Sequence, residues 1–192
     1  MDRDENVFKD GALLTARVAL GASIAAHGAQ KLFGWFGGPG ADAASNMMET
    51  LGFKPGRTYA TLASGTELTS GLLITLGLGG PLGPAMLASV MTVAAGSVHV
   101  KNGYFNTNQG FELNTIYTVA AILLAMQDYG RLSLDHAIGL RKLNVPPLVS
   151  AGAVAGAVAT GLALLARREK AQPPSPASQN GASTQDRVPA PV

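Results

Sequence analysis

Arg17 and Glu67 are charged residues set deep inside stretches that are otherwise lipid-soluble in character. A charge in the hydrocarbon centre of a bilayer costs a few kcal/mol or more (~2.5–3.5 on insertion scales), so such residues pair, line a cavity or carry a function. Their depth follows from helix geometry. If the first crossing ends near His27 and the second begins near Arg57, Arg17 and Glu67 each lie ten residues from the same membrane face. At 1.5 Å per residue both sit about 15 Å below it. This bookkeeping predicts a buried Arg17–Glu67 ion pair. Such a pair fixes helix register or floors a polar chamber, and it is weak evidence for net stability because desolvation offsets the attraction.

The same levels gather other polar residues. The third crossing returns to the face reached by the first, bringing His99, Lys101 and Asn102 toward His27 and Lys31, and the fourth starts there with Glu112 and Asn114. A funnel of ionisable groups leading down to Arg17 and Glu67 suits a quinone headgroup or a proton path. Each member also has a plain structural role. Lys31 can snorkel at a helix end, the histidines can be interfacial hydrogen bonders, and Glu112 suits a helix start. His27 and His99 share a level, and Glu67 or Glu112 could complete a ligand set. No close-spaced pair such as His-x-x-x-His occurs, however, and no metal site is expected. Nucleophilic triads and phosphate loops are absent: the Gly-rich run at Gly37–Gly40 lacks the Lys-Ser/Thr of a phosphate loop.

The elements that must position these residues read as membrane helices. The chain of 192 residues is 47% hydrophobic and 14% charged, against about a quarter charged in soluble domains. It has no cysteine, which excludes disulfides, thiol chemistry and cysteine-held clusters. A net charge of +2 gives no case for nucleic acid. Apolar stretches occupy Gly11 to about His27 (continuing to Lys31), Tyr59–Leu78, Leu82–Val100, Glu112 to about Tyr129, and Leu148–Ala166. About 20 residues cross a bilayer. Arg17 interrupts the first stretch, which is therefore read as an uncleaved helix and not a signal peptide. The segment Gly34–Pro55 is a loop, with Phe33, Trp35 and Phe36 suited to the headgroup layer. Within it Ala44, Met47, Met48 and Leu51 share the face of a short interfacial helix.

The expected fold is all-α: a polytopic membrane four-helix bundle with a fifth apolar helix at the C-terminal side and a disordered tail. The expected organisation is a polar segment over 1–10, the bundle over 11–130, an amphipathic connector over 131–147, the fifth helix over 148–166, and a basic then disordered tail over 167–192. Gly152 and Gly156 form a small-residue face that suits homo-oligomer contact as well as ordinary helix packing.

The run Arg17…His27-Gly28-Ala29-Gln30-Lys31-Leu32-Phe33-Gly34, then Gly37-Gly38-Pro39-Gly40, resembles the DoxX family. Glu67, His99, Asn102-Gly103-Tyr104-Phe105, Glu112 and Gly130-Arg131-Leu132-Ser133-Leu134-Asp135 continue the match, over about residues 10–140. The resemblance implies a four-helix protein of the bacterial cytoplasmic membrane with its amino terminus inside. The charge count, if all five segments cross, slightly favours the opposite side as cytoplasmic. The fifth segment departs from the family pattern. Members are related to the membrane subunit of a thiosulfate:quinone oxidoreductase, and some resemble partners of a superoxide dismutase and a sulfurtransferase in oxidative-stress complexes. Two readings follow. One is a redox-associated membrane subunit binding a quinone, with Arg17 and Glu67 as floor and His27, Lys31, His99, Glu112 and Asn114 as ligand or proton-relay groups. The other is a non-catalytic scaffold that anchors soluble redox enzymes through the connector or the tail. Whether the chain takes part in catalysis is open at this stage, as is any cofactor beyond a quinone.

Overall fold

The computed structural model describes residues 3–140 and 145–169, and the expected tail beyond 169 lies outside them. The described residues are helical, with no strand. The elements are α1 (Arg3–Phe33), α2 (Gly40–Thr50), α3 (Gly56–Leu76), α4 (Leu82–Ala94), α5 (Glu112–Ala125), α6 (Leu134–Ala137) and α7 (Pro147–Arg167). α4 is prolonged by a π-turn at Ala95–His99 and a 3-10 turn at Val100–Asn102. The polar segment expected over 1–10 is largely the first turns of α1.

Three stretches are long and apolar enough to cross a membrane by themselves: Asn6–Phe33, Leu82–Asn102 and Pro147–Arg167. α3 has the length, 21 residues or about 31 Å. Its hydroxyls and Glu67 lower its hydropathy, and it lies antiparallel along α1. α5 is shorter than expected, 14 residues ending at Ala125.

Glycines set the α1–α3 contact. Gly21 faces Gly71 and Thr75, and Gly28 faces Ser64 and Leu68. A Cβ at Gly28 would stand 2.5 Å from the Leu68 backbone nitrogen, so the two backbones touch only because the side chain is missing. A core of Ile24, Ile74, Leu87, Val90, Met91, Ala121 and Leu124 then joins α1, α3, α4 and α5. Large apolar residues such as Leu62, Leu123 and Leu162 remain exposed on the outside, where acyl chains would cover them.

The start of α3 reaches past the end of α1 and packs on α2. Ala44, Met48, Phe53 and Ala60 form that small core. The interfacial helix expected inside the loop is α2, with Ala44 and Met48 buried. α7 runs the full height of the bundle beside α4. Val154 packs on Ala85, Ala88 and Ala125, and Gly161 abuts the Ser89 carbonyl and Thr92. Beyond its end the Glu169 amide donates to the Gly52 carbonyl (2.9 Å) and Lys54 pairs with Glu169 (2.8 Å). Gly152 and Gly156 have open space around them. The expected connector contains the short α6, whose N-cap Ser133 accepts from the His136 amide. Its residues 141–144 lie outside those described.

Candidate functional site

The α1–α3 register decides which polar residues meet. Glu67 lies level with Gly28, and Arg17 lies level with Gly77. The two charges are about ten residues apart along α1, roughly 15 Å. The expected Arg17–Glu67 pair is therefore not formed. The error came from equating His27 with Arg57 in height. α1 continues beyond His27 to Phe33, while α3 begins more than a turn beyond the end of α1, propped by α2.

Glu67 pairs instead with Lys31. The ammonium donates to Oε1 at 2.6 Å and Oε2 at 2.7 Å. The Glu67 side chain is 7% exposed and that of Lys31 28%. Helical side chains lean toward the helix N-terminus, so Lys31, near the interfacial end of α1, reaches back down to the level of Gly28. The Glu67 carboxylate enters the bundle only with its cation attached. Ser64 and Ser70, a turn to either side, are also buried.

Asn114 shares this height. Ser23 on α1 lies 3.4 Å from the Tyr117 hydroxyl on α5, so Asn114, one turn nearer the face where α1 ends, sits level with the His27–Gly28 region. Its buried amide donates to the Met91 sulfur at 3.7 Å, a weak acceptor. Beside it a groove of about 290 Å³ runs between α4 and α5, with Met91, Thr92, Ala95, Thr118 and Val119 among its walls. The Thr92 and Thr118 hydroxyls donate to the carbonyls of Ala88 and Asn114. The groove is thus apolar apart from the Asn114 amide.

The other expected members end near the same face without joining this pair. His27 is exposed on the outside of α1. His99 Nδ1 bonds the Gln109 carbonyl at 2.7 Å, and Asn102 donates to the same oxygen at 3.3 Å. Glu112 accepts from the Asn106 amide at 2.9 Å. These three residues order the α4–α5 loop, which presents Tyr104 and Phe105 outward. Lys101 is exposed.

Arg17 is fully buried at the opposite end. Its guanidinium donates to the Leu132 carbonyl and lies 5.4 Å from the centre of the Tyr129 ring. Gly77 closes α3 at φ 65°, and any side chain there would collide with the Arg17 Nη1. Asp135 accepts from the amides of Gly79 (2.9 Å) and Gly80 (2.8 Å), while Asp10 pairs with Arg131. The 130–135 run therefore ties α1, the α3–α4 turn and the end of α5 together. Tyr129 escaped the sequence reading: an aromatic at the close of an apolar run looks like an interfacial anchor.

Comparison with known proteins adds the family. The DoxX family model matches residues 12–100. Over these residues, just under half of its length, the chain belongs to the DoxX family. This DoxX-family protein is also 34% identical, over 77 residues, to an uncharacterized protein of Haemophilus influenzae. That alignment covers 40% of this chain and 51% of the relative, so the chain spans about half the length of the curated relative it matches. No solved structure matches. The matched segment holds Arg17, Lys31, Glu67 and His99. Glu112, Asn114 and the 130–135 run lie beyond it. With its apolar helices, the family makes this a multi-pass membrane protein.

Proposed function

We propose that this DoxX-family protein is a membrane subunit of a redox-linked assembly, and that the α4–α5 groove takes the headgroup of a quinone or a similar lipid-soluble carbonyl compound. The observation that carries the reading is the Asn114 amide, buried in an otherwise apolar groove with only a thioether to bond. Pockets for small ligands share that design: apolar walls and few polar groups that fix orientation. A ligand carbonyl is a better acceptor than sulfur. The Lys31–Glu67 pair at the same height supports the reading as an exchangeable proton site. Electrons would come from a soluble partner, in the manner of the superoxide dismutase-like or sulfurtransferase-like enzymes that the family resemblance suggests.

Titration of a short-chain quinone analogue into protein in nanodiscs tests this. Saturable binding is expected. Asn114→Leu should weaken it at least tenfold, about 1.4 kcal/mol, and Glu67→Gln should weaken it by less. Absence of saturable binding, or binding indifferent to Asn114→Leu, refutes the proposal.

The ordered α4–α5 loop favours a second reading, a scaffold. His99, Asn102 and Glu112 are spent on holding Tyr104 and Phe105 outward. On that reading partner capture fails in a Tyr104→Ala/Phe105→Ala protein and survives Asn114→Leu.

A further inference from the structure

The groove between α4 and α5 holds about 290 Å³, just under the ~300–1,000 Å³ range of small-ligand pockets, so it takes one substituted ring and leaves any tail to the bilayer. No charged side chain is among its described walls. Three threonines line it, and each hydroxyl donates to the carbonyl four residues earlier: Thr92 to Ala88 (2.8 Å), Thr115 to Phe111 (3.2 Å) and Thr118 to Asn114 (2.7 Å). None of the three is left to donate to a ligand. The two ends of the Asn114 amide differ. Nδ2 points to the Met91 sulfur, which would repel the amide oxygen. Oδ1 has no hydrogen-bond partner among the described residues. The unpartnered polar atoms sealed inside those residues are Arg17 Nε and Nη1, Thr75 Oγ1 and the Tyr129 hydroxyl, and Asn114 Oδ1 is not one of them. Asn114 is only 8% exposed, so the surface that Oδ1 keeps is on the groove it lines.

We propose that the groove recognises a hydroxyl donor, so that the reduced quinol is its tighter ligand and the quinone its weaker one. This rests on the quinone reading above and names the redox state that the site favours. Reduction of a quinone adds two electrons and two protons and turns each carbonyl into a hydroxyl. A quinol hydroxyl donates to Asn114 Oδ1 while Nδ2 keeps the Met91 sulfur. A quinone carbonyl can only accept, so its ring strips Oδ1 of water and supplies no donor. A buried acceptor left unsatisfied costs more than an average hydrogen bond contributes. Sites built around a ligand hydroxyl therefore reject analogues that lack it. Preference for the quinol raises the potential of the bound two-electron couple by about 30 mV for each tenfold. The groove thereby favours reduction of its quinone, as suits a subunit that collects electrons from a soluble donor.

The test is isothermal titration of the full chain in nanodiscs, with protein-free nanodiscs as the blank. Three probes are compared: 4-decylphenol, its methyl ether 4-decylanisole, and the short-chain quinone analogue. Phenol and ether differ only in the methyl group that replaces the donor hydrogen, and neither interconverts with the other. The phenol is expected to bind at least tenfold tighter than the ether or the quinone. Asn114→Leu should bring phenol and ether within threefold of each other. Saturable binding of all three probes with equal affinity overturns this inference and leaves the quinone reading standing. No saturable binding of any probe overturns both. A phenol preference that survives Asn114→Leu overturns the role of Oδ1. The phenol–ether comparison is made on the unaltered protein, so it decides even where Asn114→Leu does not fold.

Discussion

Lys31 and Glu67 illustrate how far a side chain can shift an apparent site. The lysine backbone stands near the end of α1, yet its ammonium serves a carboxylate about a turn deeper. Removing one member of a buried pair typically costs about 3–5 kcal/mol. Lys31 keeps some water contact, so Glu67→Leu should fall at or below the lower end of that range by thermal or denaturant unfolding in detergent. Lys31→Met/Glu67→Leu should recover much of the loss. Arg17 and Glu67 sit too far apart to couple, and the effects of Arg17→Met and Glu67→Gln should add within about 0.5 kcal/mol. A coupling of 2 kcal/mol would restore the direct pair. That both residues are buried was legible in the sequence, since charges in apolar runs have few alternatives. Their partners were not, because a pairing depends on helix register, and register depends on where each helix starts.

At the scale of elements, the α1–α3 contact rests on missing side chains. Gly28→Leu would drive a branched side chain into the α3 backbone, and Gly71→Leu would do the same to α1 around Ala25. Each should sharply reduce folded yield in size-exclusion chromatography. Gly152→Leu and Gly156→Leu meet open space and should leave the folded monomer intact. The sequence singled out Gly152 and Gly156 for helix contact by their spacing and not Gly28 or Gly71, because spacing does not say which face a glycine occupies. Apolar runs gave the helices and the turn residues gave their breaks. The π-turn at Ala95–His99 and the early end of α5 were not legible. Both answer to packing against neighbouring helices and not to local propensity.

Over the whole molecule, α1, α3, α4, α5 and α7 alternate in direction. The start of α1 and the end of α7 therefore lie at opposite faces. The contact of Glu169 with Gly52 and Lys54 fixes the end of α7 beside α2 and α3. Because the chain has no cysteine, single-cysteine labelling reads this cleanly. Val7→Cys and Arg167→Cys should react with a membrane-impermeant maleimide from opposite sides of oriented vesicles. Reaction from the same side would mean that α7 does not cross.

The account depends most on Glu67 standing level with Asn114 and within reach of the Lys31 ammonium, away from Arg17. Thiol cross-linking with a short bifunctional maleimide measures this in the native membrane. Lys31→Cys/Glu67→Cys is predicted to link efficiently and Arg17→Cys/Glu67→Cys not at all. Efficient linking of the second pair, with none in the first, would contradict the register and with it the candidate site.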